Sequence, residues 1–192
     1  MSLPVLHGAR VTLVPATRAV ARTVLAGRDP ADALALVGLA AGPGWPHPDT
    51  ADALRPLAEH DGEDGCWLVG LGGLVVGDAG WFGPPDPAGD CEIGYGIAPP
   101  SRRQGLGREA VGVVLRWVEA QPGVRRVAGE VLVGNEASRR LLEQLGFTDD
   151  GTGAPPNVRL VRPVAQSAGG RGRGQGAERA TAAARQDTSS LR

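Results

Sequence analysis

The sequence predicts an α/β fold of the α+β type, a mixed sheet carrying helices, and three observations lead there. A strand pattern from Glu92 to Ala98, a Gly-containing loop, an amphipathic helix to Glu119 and an apolar strand from Arg126 to Val133 form a crossover unit. Such a unit makes its two strands parallel. Cys66 to Val69 and Leu74 to Phe82, joined through Gly72-Gly73, carry the signal of an antiparallel hairpin, so the sheet is mixed. A hydrophobic content of 42% over 192 residues is enough for one substantial core.

In chain order, Val11 to Val14 reads as the first strand, followed by helical patterns at Thr17 to Ala26, Pro30 to Ala40 and Thr50 to Glu59. Within Glu92 to Ala98, Gly94 and Gly96 mark a place where the ladder bulges or a ligand lies close. Ala110, Val113, Val114, Trp117 and Val118 recur at the spacing of a buried helix face, which should pack on the sheet. Asn135 to Leu145 reads as a helix stopped by Gly146, and Val158 to Val164 as the last strand. The domain is expected to span residues 1–164. Residues 165–192 are Gly, Ala and Arg rich, and this composition predicts a disordered tail. Its five Arg against two acids could also contact nucleic acid, although a solvated terminus accounts for it as well.

The most informative stretch is Arg102-Arg103-Gln104-Gly105-Leu106-Gly107. Pro99 and Pro100 end the preceding strand, and the glycines allow close backbone approach. The first turn of a helix leaves N–H groups without partners and carries positive partial charge, so an anion is favoured there. No Asp, Asn, Ser or Thr lies between Arg103 and Arg108 to cap those donors, and Arg102, Arg103 and Arg108 add charge. The expected ligand is a phosphate or pyrophosphate.

Composition excludes several classes. All twenty basic residues are Arg, so no Walker lysine exists, and Gly94-Tyr95-Gly96 lies inside a strand where a dinucleotide fingerprint needs a turn. Cys66 and Cys91 are too few for a disulfide framework and no clustered spacing suggests a metal site. No apolar run reaches the ~18 residues of a membrane span and the first ten residues lack signal-peptide order, so a cytoplasmic location is expected. Asp49 to Glu92 holds ten acids against Arg55 alone, while Arg102 to Arg140 holds eight Arg against four Glu. The acidic half is either a reception surface for a cationic ligand or a solvated face.

The order Glu92-Ile93-Gly94-Tyr95-Gly96-Ile97-Ala98-Pro99, then Arg102, Gly105 and Gly107, then Asn135-Glu136-Ala137-Ser138 through Gly146-Phe147 resembles the bacterial GNAT acetyltransferases. The style is that of the branch with the N-terminal acetylases of ribosomal proteins (RimJ/RimL-like). The resemblance implies a mostly antiparallel sheet with helices on both faces and a parallel strand pair that splays to receive CoA. It implies acetyl-CoA as cosubstrate and an amine acceptor; composition adds the expectation of no metal and no membrane partner, disfavours nucleic acid, and leaves monomer or homodimer open. Backbone groups of Ile97 and Ala98 would pair with the pantetheine arm. N–H groups of Arg102, Arg103, Gln104, Gly105, Leu106, Gly107 and Arg108 would surround the pyrophosphate, with Asn135 and Ser138 beside the pantetheine and the sulfur. Asn135 also suits a helix N-cap, and Ser138 a solvated helix position.

A primary aliphatic amine is protonated at neutral pH, so a base must take its proton. The resemblance places Glu92 near the thioester as that base, acting directly or through water. Glu92 could instead bind the ammonium, or be only a solvated strand-end carboxylate. A strand N–H near Ile97, in irregular strand geometry, would stabilise the oxyanion. The helix position that many relatives fill with a thiolate-protonating Tyr is Leu142, which leaves release to Ser138, water or no dedicated acid. Tyr95, the only Tyr, is read as packing. His47 has a substrate role or is an ordinary loop histidine, and Trp81 borders the acceptor pocket or fills the core. His7 and His60 have no identifiable partners. The competing reading is a catalytically degenerate acyl-CoA-binding module that senses acetyl-CoA without turning it over.

Overall fold

A computed structural model describes residues 3–59 and 65–165. The predicted tail and His60 lie outside the described residues. Nine strands form one sheet: β1 (Leu6–His7), β2 (Thr12–Pro15), β3 (Ala40–Ala41), β4 (Gly65–Leu71), β5 (Leu74–Trp81), β6 (Asp90–Ile97), β7 (Arg126–Leu132), β8 (Thr148–Asp149) and β9 (Asn157–Pro163). The helices are α1 (Arg18–Leu25), α2 (Ala31–Ala35), α3 (Thr50–Glu59), α4 (Leu106–Glu119) and α5 (Glu136–Gln144). The spatial order is β1-β2-β4-β5-β6-β7-β9-β8, with β3 against β5. All pairs are antiparallel except β6 with β7 and β3 with β5.

Two cores lie on opposite faces. On one face, Ala110, Val113, Val114 and Val118 of α4 press on Trp67, Trp81 and Ile93. There Trp117 meets Trp67 and Trp81 edge to face, with ring centroids 5.0 and 4.9 Å apart. Such arrangements align ring edge with ring face and add to burial. On the other face, Val20, Leu34, Trp45, Leu68 and Val75 pack together, and Leu54 of α3 closes on Cys66. Gly72 and Gly73 turn the β4–β5 hairpin with φ of 58° and 83°, the left-handed pair that a tight right-twisted hairpin requires.

One expectation is corrected and another narrowed. The second helix stops at Ala35 rather than Ala40: Gly38 takes φ 74°, and the chain then extends so that Ala40 and Ala41 pair with β5. Of the two alternatives for Gly94 and Gly96, a bulge or a close ligand, the bulge is not found. The β5–β6 register runs unbroken from Gly77↔Ile97 to Trp81↔Ile93, and the slip occurs between Val69 and Gly70 in the β4–β5 pair. Gly94 and Gly96 are small for another reason: a Cβ on either would strike the ring of Phe82 or of His47.

The parallel pairing of β6 with β7 covers only Asp90↔Arg126, Cys91↔Val127 and Glu92↔Ala128. Beyond it, β6 stays with β5 and β7 stays with β9 as far as Leu132↔Asn157, so a gap opens in the sheet. An ion cluster pins the closed end. Asp90 accepts two hydrogen bonds from Arg126, both 2.6 Å, and one from Arg159 at 2.8 Å, while Arg159 also donates to Asp150. The Arg126 hydrogen bonds, then those of Arg159, hold the Asp90 carboxyl below its ordinary pKa against partial desolvation. A depressed folded pKa means stability that is present above the unfolded value and lost as pH falls through the folded one. Asp90→Asn is expected to lower Tm by roughly 5 °C near neutral pH, the size of ~2 kcal/mol in a domain of this length. Thermal melts through the acid range should show the difference from the unaltered protein shrinking as Asp90 becomes protonated.

Candidate active site

The gap presents backbone groups. Phe82 N–H donates to Glu92 O and Ala98 N–H to Val76 O, so by the period of two Glu92, Gly94, Gly96 and Ala98 turn their peptide groups to β5. Tyr95 and Ile97 therefore turn theirs to the gap. Ile97 O accepts from Arg102 Nε at 2.7 Å, which leaves the Ile97 N–H and both Tyr95 groups facing it. Of the two residues expected to pair with the arm, Ile97 offers an unpaired backbone N–H, whereas Ala98 N–H is held by Val76 and its carbonyl already accepts from Ser101.

At one end of the gap stands the loop before α4. Arg103 has φ 60° and Gly105 φ 78°, left-handed residues that alternate with ordinary ones and turn successive N–H groups to one side. The N–H groups from Arg103 to Arg108 have no protein acceptor among the described residues; the first helical bond runs from Glu109 N–H to Gly105 O. Glu109 lies in the first turn of α4 but does not cap it. Its carboxylate accepts from Arg10 N–H, Arg10 Nε and Val11 N–H at 2.5, 2.9 and 3.1 Å. Arg102 and Gln104 fix the loop through Ile97 O and Pro100 O rather than reaching outward. Gly107 is small because a Cβ there would crowd Leu141 and Ile97, where α4 approaches α5 and β6.

At the far lip of the gap, Asn135 Oδ1 accepts from Ser138 N–H at 3.2 Å and so caps α5. Ser138 is half-buried and meets an unexpected partner. Tyr95, read from sequence as packing, brings its phenol 2.8 Å from Ser138 Oγ and 3.2 Å from Ser138 O. Leu142 is fully buried in the α4-side core.

On the α3 side the gap enters a cavity of about 400 Å³ lined by Ile93, Gly94 and Tyr95 of β6, Glu130 of β7, Asn157 of β9 and residues of α3. Five carboxylates line it, Asp49, Asp52, Asp78, Glu92 and Glu130, and no basic side chain does. Glu92 opens to solvent at its rim. Loss of surrounding water raises its carboxyl pKa, Glu130 adds to the rise and Arg159 opposes it. Cys91, on the other face of β6, is buried among apolar groups, and its thiol is pushed up to about 11 by desolvation and by the Glu92 charge. It remains a thiol at neutral pH, which makes it a poor nucleophile. Trp81 both fills the core and borders the cavity.

His47 is no loop-surface histidine. It is buried with its ring over the backbone of Gly96, and its Nε2 lies 3.1 Å from Asp78 Oδ2. Thr50 Oγ1 donates to the same Oδ2 at 2.7 Å and Trp45 Nε1 at 3.3 Å, so a buried carboxylate docks the α2–α3 connection onto β5. Burial alone would lower the His47 pKa, but the Asp78 hydrogen bond and charge, with Asp49, outweigh burial and Arg102, and raise it. A group with a raised folded pKa gives stability that is full below its unfolded value and lost as pH rises through the folded one. Asp78→Asn is therefore expected to cost ~3 kcal/mol at about pH 6 and distinctly less at about pH 9. Urea melts of both proteins at the two pH values check this.

Residues 10–148 match the family described as acetyltransferase (GNAT) domain. The uncharacterized N-acetyltransferase YjdG of Bacillus subtilis (strain 168) is 30% identical over 111 residues, 54% of this chain and 66% of that protein, so the match spans less than two thirds of YjdG. Among solved structures, an acetyltransferase from Thermus thermophilus is 26% identical with a TM-score of 0.57, over 82% of this chain and 99% of that one. The ribosomal L7/L12 α-N-protein acetyltransferase RimL, solved in complex with coenzyme A, shares the fold at 14% identity with a TM-score of 0.59, over 84% of this chain and 98% of that one.

Proposed function

The chain belongs to the GNAT acetyltransferase family, and on that premise we propose that it moves acetyl from acetyl-CoA directly to an amine in a ternary complex. The observation that carries the reading is the gap itself: a break in the sheet with unpaired N–H groups at one end, backbone donors along β6 and an acidic cavity at its inner side. The cosubstrate's pyrophosphate sits on the N–H groups of Arg103 to Arg108, and its extended arm lies along Tyr95 and Ile97 as a partial strand. Asn135 and Ser138 form the other lip. The coenzyme A complex of the RimL structure, alike in fold, supports a CoA ligand.

The acceptor enters from the cavity. Its lining of carboxylates, of which His47 takes up Asp78, holds no basic side chain and favours an amine that carries positive charge, a protein N-terminus beside basic residues or a small-molecule amine. Glu92 is the general base. Its raised pKa brings it closer to the pH at which a base works well. It takes the ammonium proton and passes it to water, and the free amine attacks the thioester carbonyl. The oxyanion is met by the N–H of Tyr95 or Ile97, and Glu92 takes the second nitrogen proton as the adduct collapses. The electron pair of the broken C–S bond leaves on sulfur. The buried Leu142, which offers no acid, favours the second reading, an acyl-CoA sensor without turnover.

The deciding measurement is amine-dependent thiol release from acetyl-CoA against a panel of short peptides and small amines. Glu92→Gln is expected to lower kcat/KM ~100-fold and to abolish the acid limb of the pH profile, on which activity falls as Glu92 is protonated. Cys91→Ala should retain turnover, and its loss with acetyl trapped on Cys91 would refute direct transfer. Calorimetric CoA binding without release from any amine would establish the sensor instead.

A further inference from the structure

We infer that Tyr95 is a positioning residue for Ser138: its phenol holds the Ser138 hydroxyl so that the serine proton is free to turn into the gap and meet the departing sulfur. The inference rests on the acyl-transfer reading above and adds to it a side chain, the Tyr95 phenol, that does not itself touch the reacting atoms, whatever the backbone of Tyr95 does.

The two side chains come from the two lips of the gap. Tyr95 stands on β6, at the position whose peptide groups face the gap, and Ser138 is the third residue of α5. Their hydroxyls meet across the lips, 2.8 Å apart. A serine hydroxyl has one proton and two acceptor sites, as does a phenol. The phenol's one proton has two acceptors at Ser138, the carbonyl at 3.2 Å and the nearer Oγ at 2.8 Å; given to Oγ, it leaves the serine proton unclaimed by Tyr95. Burial raises the phenol's pKa, against a smaller lowering by Ser138, so Tyr95 keeps the proton that this arrangement needs. The serine backbone is fixed in turn by Asn135, which accepts from Ser138 N–H. The next turn of α5 offers no second hydroxyl. Helical neighbours of Ser138 there are Leu141 and Leu142, and both pack against the core.

The balance of the step asks for no proton from either hydroxyl. The C–N bond forms, the C–S bond breaks with its electron pair on sulfur, and the nitrogen gives up two protons through Glu92 to water, one before attack and one as the tetrahedral adduct collapses to the amide. Ser138 Oγ–H donates a hydrogen bond to the thiolate, a charge-assisted contact stronger than one to neutral sulfur. The thiolate, with an ordinary thiol pKa of about 8.5, then takes a proton from water on release.

The test uses the full chain, acetyl-CoA and the amine that gives the highest release, with Tyr95→Phe, Ser138→Ala and the double variant. Tyr95→Phe keeps the ring and is expected to lower kcat ~10-fold, with KM for acetyl-CoA nearly unchanged, since the contact forms with charge that exists only as the bond breaks. The double variant should be no slower than Ser138→Ala, because Tyr95 acts through Ser138. A second readout does not depend on turnover: the thiol of bound CoA, followed by its ultraviolet absorbance, should titrate at lower pH in the unaltered protein than in Tyr95→Phe. If Tyr95→Phe leaves both kcat and the bound-thiol titration unchanged, or if the two substitutions act additively, the inference is overturned while the acyl-transfer reading stands. Failure of the unaltered chain to bind CoA would overturn both.

Discussion

One strand cannot serve two neighbours that diverge, and this constraint organises the molecule. β6 is bonded to β5 along most of its length, and β7 is bonded to β9 along its own, yet the two share only three residue pairs. Past Glu92 each strand follows the partner with which it has more bonds. The gap that results is therefore a consequence of pairing on either side, with no special residue needed inside it. The Asp90 cluster sets where it begins, because one carboxylate draws arginines from β7 and β9 to the same point.

Around that opening the fold distributes charge in opposite senses. The loop before α4 leaves backbone donors unmatched because Arg103 and Gly105 take left-handed conformations and because the nearby acid, Glu109, is occupied by the β1–β2 connection. The charged side chains that line the cavity on the α3 face are all carboxylates. On the proposed reading, a polyanion and a cation are drawn to different faces of the same break and meet near Glu92 and Tyr95. The cluster of His47, Thr50, Trp45 and Asp78 holds the cavity-side loop close to β6, and Gly96 is what lets the imidazole rest there.

Much of this was legible in the sequence where the signals are local. The run from Glu92 through the loop, α4, β7, Asn135 and Gly146 is a succession of strand alternation, chain breakers, helix periodicity and caps, each confined to a few residues, and the structure reproduces it. What is read poorly depends on partners distant in the chain. Tyr95 and Ser138 are 43 residues apart and Asp90 and Arg159 are 69 apart, so neither contact has a spacing to betray it. The short α2 came from a left-handed Gly38 that periodicity overran. The glycine pair in β6 did signal a close approach, but the approaching groups are Phe82 and His47 of this chain, which only tertiary packing could specify. That Ala98 N–H bonds to Val76 is likewise fixed by register with β5, which no local pattern carries.

Mechanically, the sheet is two plates joined along one short seam. β1 to β6 make the first and β7 to β9 the second, with the ladder and the Asp90 cluster tying them at one end and the Tyr95–Ser138 contact at the lips. A small rotation about that seam is magnified along the opening, in the manner of tweezers held at the pivot, and is opposed at the tips by that contact. A guest that fills the opening then acts as a splint, resisting relative rotation of the plates, and its departure restores that freedom without breaking a single rung of either ladder.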